Sequence, residues 1–162
     1  MQRLLEFGYR CSVAALAGAQ IFFAAVASQA AFPRETAALP QGDPARTAAA
    51  DLVGKMLASL DRLTLVGAAL AVLCAVLLAR RIPGRTLRAA VPPLVAGVLA
   101  AISAGLVTPA IQAMRAAGTT RTSAFGLLHA TSAVILLLEI TALLIGLWLF
   151  SPASAGSRKP EA

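Results

Sequence analysis

Four long apolar runs, separated by short polar segments, dominate the chain. Each is close to the roughly 20 residues that a helix needs to cross a bilayer. Leu, Val and Ile are mixed with Ala and Gly and show no alternation of period two, which favours helices over barrel strands. The pattern predicts an all-α, four-helix transmembrane bundle in residues 1–150, with a disordered polar tail at 151–162. The predicted spans are about 11–31, 63–79, 89–107 and 125–150.

Two of the predicted helices extend beyond their apolar runs. Asp43 and Pro44 form a helix start signal, and no proline follows before Arg81. A helix over this stretch would be ~57 Å long. Its first half is therefore expected to project from the membrane, to lie on its surface, or to break near Gly54. The third helix is expected to continue past Pro109, with a kink there. Both extensions are predicted on the non-cytoplasmic side as a cap, with Asp51, Lys55 and Arg115 as candidate residues.

The composition favours a membrane protein over other classes. The chain is 59% hydrophobic and 13% charged, with a mean hydropathy of +0.80, whereas soluble domains carry about 25% charged residues. The net charge of +7 would otherwise suggest nucleic-acid binding. Here the basic residues lie in short clusters between apolar runs, a pattern that sets membrane topology. We therefore expect the lipid bilayer, and no nucleic acid, as the surroundings of this chain.

The positions of arginine and lysine predict the orientation. The loop RRIPGRTLR at 80–88 is the densest basic cluster, and it is short enough for the positive-inside rule to apply. With four spans it shares a side with both termini, so both termini are expected in the cytoplasm. Asp51 and Asp61 are counted among the charges of the opposite side.

The first apolar run also allows a second interpretation, a cleaved signal peptide. Arg3 and Arg10 give it a positive start, and Ala25–Ala27 resembles a small-residue cleavage site. Against cleavage, the run is long and contains Gly18 and Gln20. We therefore expect the first span to remain in the mature protein.

Polar residues inside the apolar runs are the main candidates for function. An ionisable side chain at bilayer depth costs about 2.5–3.5 kcal/mol on insertion scales and is a functional candidate by default. The rotation between Ser132 and Glu139 is ~20° on a helix, and His129, the single histidine, lies ~60° from Ser132, so the three form one polar stripe. Gln20 lies at a similar depth to Glu139. We expect the two to face each other, with a neutral Glu139 donating a hydrogen bond to Gln20. The stripe is either interhelical hydrogen bonding or a functional site.

No catalytic or metal site is predicted. The chain has no HExxH motif, nucleophile elbow or phosphate loop. His129, Glu139, Cys11 and Cys74 are too scattered to supply the three or four ligands of a zinc site, and both cysteines are interpreted as small apolar residues. We therefore expect no enzyme activity, no cofactor and no metal. Copper(I) chemistry with Met and Cys is the basis of one alternative, a redox or metal-handling component.

Small residues recur at four-residue spacing in three of the spans. Such spacing is typical of close contacts between membrane helices. It predicts packing seams, which could also dock a protein partner or a second copy of the chain. The seams are Ala14 and Gly18; Gly67, Ala71 and Ala75; and Gly97, Ala101 and Gly105.

Four short motifs also follow one another along the chain: AGAQIFFAAVASQAAF, ADLVGKMLASLDRL, VTPAIQAMR and FGLLHATS. In order and spacing they resemble the small bacterial membrane proteins called domain of unknown function 4149, relatives of the eukaryotic transmembrane protein 205. The resemblance covers about residues 12–150 and implies a four-helix protein of the bacterial inner membrane with no established activity. Ser28 stands where the family often has Pro, and Leu136 where it often has Asn. The residues that carry it are Gly18, Gln20, Phe32, Gly54, Pro109, Arg115, His129 and Ser132.

These patterns favour a small integral membrane protein with a binding or transport-accessory role that uses the polar stripe and the cap. A structural subunit of a membrane complex is the second hypothesis, and a redox or metal-handling component is the third. In all three the candidate polar residues are Gln20, His129, Ser132 and Glu139.

Overall fold

In the part of the chain that the structure describes, helices are joined only by short connections. The computed structural model covers residues 1–40, 42–81 and 87–150, and no strand occurs in these ranges. Four helices are long and apolar enough to cross a membrane, so the predicted all-α bundle is confirmed. The predicted tail at 151–162, and 82–86 of the basic loop, lie outside these ranges. The helices are α1 (Gln2–Ala31), α2 (Arg34–Ala38), α3 (Pro44–Arg81), α4 (Leu87–Ala116) and α5 (Ser123–Leu149).

The long helices extend well beyond the predicted apolar runs. Helix α1 begins at Gln2 because polar residues such as Arg3 end an apolar run without ending a helix. Helix α3 continues without interruption from Pro44 to Arg81, which excludes a break at Gly54. Its start agrees with the prediction, since Oδ1 of Asp43 accepts a hydrogen bond from the Ala45 amide at 2.8 Å.

The four long helices form a square bundle. Helix α1 packs against α3 and α5, and α4 packs against the same two helices. We call one end of the bundle the termini end, where the rings of Tyr9 and Phe150 stack with their centroids 4.1 Å apart. We call the other end the cap end, where the connections 32–40 and 117–122 lie.

An apolar core fills the half of the bundle nearest the termini end. Tyr9 is fully buried, and its hydroxyl donates a hydrogen bond to the Ala89 carbonyl at 2.8 Å. This bond ties the start of α1 to the start of α4. The rest of this core includes Val13, Leu16, Ala71, Cys74, Leu78 and Leu143.

The predicted small-residue seams divide between the inside and the outside of the bundle. A Cβ at Gly67 would lie 2.9 Å from Leu16, and one at Gly97 would lie 3.2 Å from Ala68, so these glycines permit close helix contacts. At Gly18 and Gly105 a Cβ would meet nothing within 4 Å. Those two positions therefore face away from the described bundle.

Two of the long helices contain a π-helical turn, at Phe23–Ala27 in α1 and at Ser103–Val107 in α4. The second ends two residues before Pro109, which lacks the amide hydrogen that a regular helix would use. The irregularity predicted at this proline thus takes the form of a widened turn just before it. Both turns lie in the middle of the bundle, where the buried polar side chains are found.

Candidate functional site

A cluster of buried polar side chains lies across the middle of the bundle. Gln20 of α1 and Glu139 of α5 are 0% and 2% exposed. Nε2 of Gln20 donates hydrogen bonds to Oε2 of Glu139 and, at 3.0 Å, to Oγ1 of Thr64 on α3. The predicted contact between Gln20 and Glu139 is confirmed, but its donor is Gln20 rather than Glu139. The two hydrogens of the amide allow it to serve both acceptors.

A second carboxyl group, that of Asp61 in α3, belongs to the same cluster. Asp61 is 3% exposed, and Oδ2 accepts a hydrogen bond from the Ser103 hydroxyl of α4 at 3.1 Å. The Thr108 hydroxyl lies near the same carboxyl group but makes no hydrogen bond of acceptable geometry to a described residue. Counting Asp61 among the charges outside the membrane bundle was therefore wrong.

The two carboxyl groups lie at similar depths and close enough for their charges to repel. Glu139 is eleven residues, or about 16 Å, from Phe150, which stacks on Tyr9. Asp61 is thirteen residues, or about 20 Å, from Cys74, which lies beside Gly8 in that same layer. Asp61 is thus only about 3 Å, or roughly half a helical turn, nearer the cap end than Glu139.

The two π turns flank this cluster. The turn in α1 begins three residues after Gln20, and the turn in α4 begins at Ser103 itself. Such turns are rare in proteins as a whole, but those that occur are often found at functional sites. They widen the helix and change the direction of the side chains that follow. Their position supports the cluster as a candidate site.

The structure divides the predicted polar stripe of α5 into two environments. Glu139 is buried in the cluster, whereas Ser132 is half-buried and His129 is exposed. The imidazole of His129 stacks parallel to the Phe125 ring, with the centroids 6.3 Å apart. Ser132 lies seven residues, or about 10 Å, from Glu139 along the helix. At that depth α5 borders a cavity instead of a packed polar core.

A cavity of about 570 Å³, which we call the cap cavity, lies at the cap end of the bundle. Two arginines from different helices line it. Nη1 of Arg115 donates a hydrogen bond to the Ala50 carbonyl at 2.9 Å, and Nη1 of Arg46 donates one to the Leu39 carbonyl at 2.6 Å. Each of these bonds uses one of the five N–H donors of a guanidinium. The cavity wall also includes Asp51, Phe125, His129, Ser28 and Gly118.

Gly118 shapes the wall of this cavity through its backbone. It follows the end of α4 with φ +69, the left-handed region that favours glycine. Its amide donates to the Arg115 carbonyl at 3.0 Å, and the next amide, that of Thr119, donates to the Met114 carbonyl at 2.9 Å. The turn therefore ends α4 directly after the residue that carries a cavity guanidinium.

Of the three predicted cap residues, two line the cap cavity. Asp51 and Arg115 interact electrostatically across α3 and α4. Lys55, four residues after Asp51 in α3, lines a separate depression of about 380 Å³ beside Met56. Arg115 reaches α3 at Gly54, where a Cβ would lie 3.2 Å from its Nη1 atom.

A second cavity of about 270 Å³, which we call the inner cavity, lies beside the cap cavity. The two share Ser28, Val53, Arg115 and His129 as lining residues. The walls of the inner cavity are largely apolar, and Thr108, which also lies near Asp61, is among its polar lining residues. The cavities thus extend from the cap end to the edge of the buried cluster. The inner cavity is also lined by Leu57, Ile111, Ser132 and Leu136.

Sequence reasoning missed Asp61, Thr64 and Arg46 as candidates, although helical spacing carries a signal for each. Asp61 and Thr64 lie on one face with the buried residues of α3 that follow them at steps of three and four. Arg46 lines the cap cavity together with the residues four and seven positions later. These faces have functional meaning only once the neighbouring helices are known.

The described side chains contain no group of three His, Cys, Asp or Glu residues that could hold a metal ion. Cys11 is exposed and Cys74 is buried, and both are free thiols. The chemistry available at the site is therefore that of carboxyl, amide, hydroxyl, imidazole and guanidinium groups.

No family model, curated protein or solved structure matches this chain.

Proposed function

We propose that the protein is a membrane-embedded binding protein that holds an amphipathic anion in the cap cavity and the inner cavity. In the proposed orientation both termini are in the cytoplasm of a bacterium, and the cap end is at the outer face of its inner membrane. The observation that carries the proposal is the junction of a cationic cavity with an apolar one. The ligand would enter from the outer leaflet or from the space outside it.

The charge of the cap cavity favours a singly charged anion. Arg46 and Arg115 bring two positive charges, and Asp51 brings one negative charge. Guanidinium groups bind carboxylate and phosphate groups through pairs of charge-assisted hydrogen bonds. Because each of these arginines is held by a backbone carbonyl, its remaining donors are oriented before a ligand arrives.

The inner cavity accommodates the apolar part of such a ligand. Leu57, Ile111 and Leu136 contribute to its walls, and most of its lining surface is apolar. The cap cavity alone falls within the roughly 300–1,000 Å³ that is typical of small-molecule sites. A single-chain anionic lipid, with its head group at the arginines and its chain in the inner cavity, fits both features.

Displacement of a fluorescent fatty-acid analogue from the purified protein in nanodiscs tests this proposal. We expect saturable binding to the wild type. The affinity of Arg115→Gln should be lower by about tenfold or more, since a hydrogen bond to a charged group contributes about 1.5–3 kcal/mol. Arg121→Gln is the matched control, because Arg121 is exposed near α5 and lines neither cavity. Equal affinity in the two variants would refute the proposal.

The other hypotheses drawn from the sequence stay predictions. A role as a subunit of a membrane complex would rely on Gly18 and Gly105, since Gly67 and Gly97 already serve contacts within the bundle. The resemblance to domain of unknown function 4149 and the redox or metal-handling role are likewise untested by the geometry of these cavities.

A further inference from the structure

Two buried carboxyl groups share the middle of the bundle, and no basic side chain of the described residues bonds to either of them. Asp61 accepts from Ser103, and Glu139 accepts from Gln20, so both described partners are neutral. Two carboxylates at this depth would repel one another and would lose the hydration that stabilises their charges. Protonation of one carboxyl group removes most of this cost.

Two buried oxygen atoms could accept a hydrogen bond from a protonated carboxyl group. Oε1 of Gln20 and Oγ1 of Thr108 have no hydrogen-bond partner among the described residues. The Gln20 amide is fully enclosed, and its nitrogen already bonds to Glu139 and Thr64, so its oxygen lies within the cluster. Thr108 lies near Asp61. A protonated carboxyl group is a donor, and either oxygen could accept from it.

The cluster borders the cavities on one side and the apolar core on the other. Thr108 lines the inner cavity, and the inner cavity shares His129 and Arg115 with the cap cavity. Toward the termini end, the next layer contains Leu16, Ala68 and Leu143, all of which are buried. Water therefore has a route toward the carboxyl groups from the cap end and faces a packed apolar layer from the other end.

We infer that Asp61 and Glu139 form a proton-binding site that exchanges its proton with the cap end through the inner cavity and the cap cavity. The proton comes from cavity water, forms an O–H bond with one carboxylate oxygen, and lowers the negative charge of the pair by one. Release returns it to water by the same route. This function goes beyond the proposed binding of an amphipathic anion and does not require that ligand.

The groups that face the pair come from α1, α3 and α4, while α5 contributes Glu139 itself. Helix α1 contributes Gln20, α3 contributes Thr64, and α4 contributes Ser103 and Thr108, all of them neutral. Arg62 follows Asp61 in sequence but is exposed. Farther toward the cap end are the charged or titratable groups Asp51, Arg115 and His129, and toward the termini end are Cys74 and Tyr9.

Infrared spectroscopy of the protein in nanodiscs tests the site directly. We expect a C=O band of a buried carboxylic acid in the wild type that decreases reversibly as the pH is raised. The band should change in Asp61→Asn and in Glu139→Gln and should be absent from the double variant. Both substitutions keep the shape of the side chain, and circular dichroism checks that the variants remain helical. Identical wild-type and double-variant spectra at every pH would overturn the inference.

Labelling of the wild type provides a measurement that does not depend on the folding of variants. Dicyclohexylcarbodiimide reacts with protonated carboxyl groups in apolar surroundings, and peptide mapping by mass spectrometry locates the adduct. We expect the adduct on Asp61 or Glu139, with a yield that falls as the pH is raised. Protection by sodium ions at constant pH would mean that the site holds a metal cation and would overturn the assignment to a proton. Absence of both the adduct and the infrared band would also overturn it.

The route of exchange has its own matched pair of variants. Ser132→Leu adds an apolar side chain to the wall of the inner cavity, whereas Thr131→Leu changes an adjacent exposed residue that lines neither cavity. After transfer to deuterated buffer, the shift of the carboxyl band should be several-fold slower in Ser132→Leu and unchanged in Thr131→Leu. Equal rates in both variants and the wild type would refute access through the inner cavity.

Discussion

The Gln20 amide donates a hydrogen bond to the Glu139 carboxyl group and so connects the first and the last long helix of the bundle. The two residues are 119 positions apart in the chain, and both are buried away from water. Gln20 also donates to Thr64, so one amide joins three of the four long helices. This contact is the centre of the polar cluster.

Removal of this amide should destabilise the protein more than removal of both partners. Gln20→Leu leaves the Glu139 carboxyl group buried without its donor, which should lower the free energy of unfolding by about 1–3 kcal/mol. In Gln20→Leu/Glu139→Leu part of that loss should be recovered, because the carboxyl group that lost its donor is no longer present. Unfolding in mixed micelles, arranged as a double-mutant cycle, measures the coupling. Purely additive losses would contradict it.

The Tyr9 hydroxyl should contribute measurably to stability. Tyr9→Phe leaves the ring and its stacking on Phe150 but removes the bond to Ala89, so we expect a loss of about 1 kcal/mol. Thr141→Val is the control, because that exposed hydroxyl donates to the Leu137 carbonyl one turn away in its own helix. Thermal unfolding followed by circular dichroism compares the two, and equal shifts would argue against a special role for Tyr9.

Two glycines of the predicted seams should respond oppositely to alanine. Gly67→Ala forces a Cβ to within 2.9 Å of Leu16, so overpacking should cost about 1–3 kcal/mol. Gly105→Ala meets nothing within 4 Å and should leave stability unchanged or raise it slightly, because alanine favours a helix. The midpoint of thermal unfolding in detergent distinguishes them. A loss in Gly105→Ala similar to that in Gly67→Ala would mean that its outer face is covered in the intact protein.

The close approach of Arg115 to Gly54 gives a test of the cap cavity that leaves every charge in place. Gly54→Ala adds a methyl group 3.2 Å from Nη1 of Arg115, so the guanidinium, which bonds to the Ala50 carbonyl, must move by a few tenths of an ångström. We expect weaker binding of the fatty-acid analogue with little change in unfolding. Gly126→Ala, which meets open space near the start of α5, should bind as the wild type does. Unchanged affinity in Gly54→Ala would show that the position of this guanidinium is unimportant.

The proposed orientation predicts which engineered cysteines are reached from outside the cell. An impermeant maleimide should label Arg121→Cys in intact cells and Ala162→Cys only after the membrane is opened. The wild type, with Cys11 and Cys74, gives the background. Labelling of Ala162→Cys but not Arg121→Cys in intact cells would reverse the orientation and place the cavities in the cytoplasm.

The sequence was sufficient to predict the four-helix bundle and one contact of its polar core. Long apolar runs determine the helices, and similar depths in two runs were enough to pair Gln20 with Glu139. Asp61 and Arg62 directly precede the apolar run that begins at Leu63, so the sequence pattern placed Asp61 outside the membrane. Which face of a helix is buried depends on the helices beside it, and that information is tertiary.

The sequence alone predicts less of the two cavities than of the polar core. Their walls combine residues from α1, α3, α4, α5 and the connection after α4, which no local pattern brings together. Arg46 and Arg115 are 69 positions apart and become parts of one site only when α3 and α4 pack side by side. Helical spacing indicates that a face exists, whereas the partner of that face depends on the fold.

The π turn at Phe23–Ala27 holds one residue more than the surrounding α-helix needs. If the same residues formed a regular α-helix, everything beyond this turn would be rotated by about 100° relative to the half that packs in the apolar core. Ser28, which lines both cavities, would change its direction, while Gln20 would keep its place beside Glu139. The π turn thus divides α1 into two units with a fixed relative rotation. The first unit contacts the carboxyl cluster, and the second helps to shape the cavities. Deletion of one residue within the turn, such as Ala25, would therefore restore a regular helix and leave Ser28 in nearly its present direction.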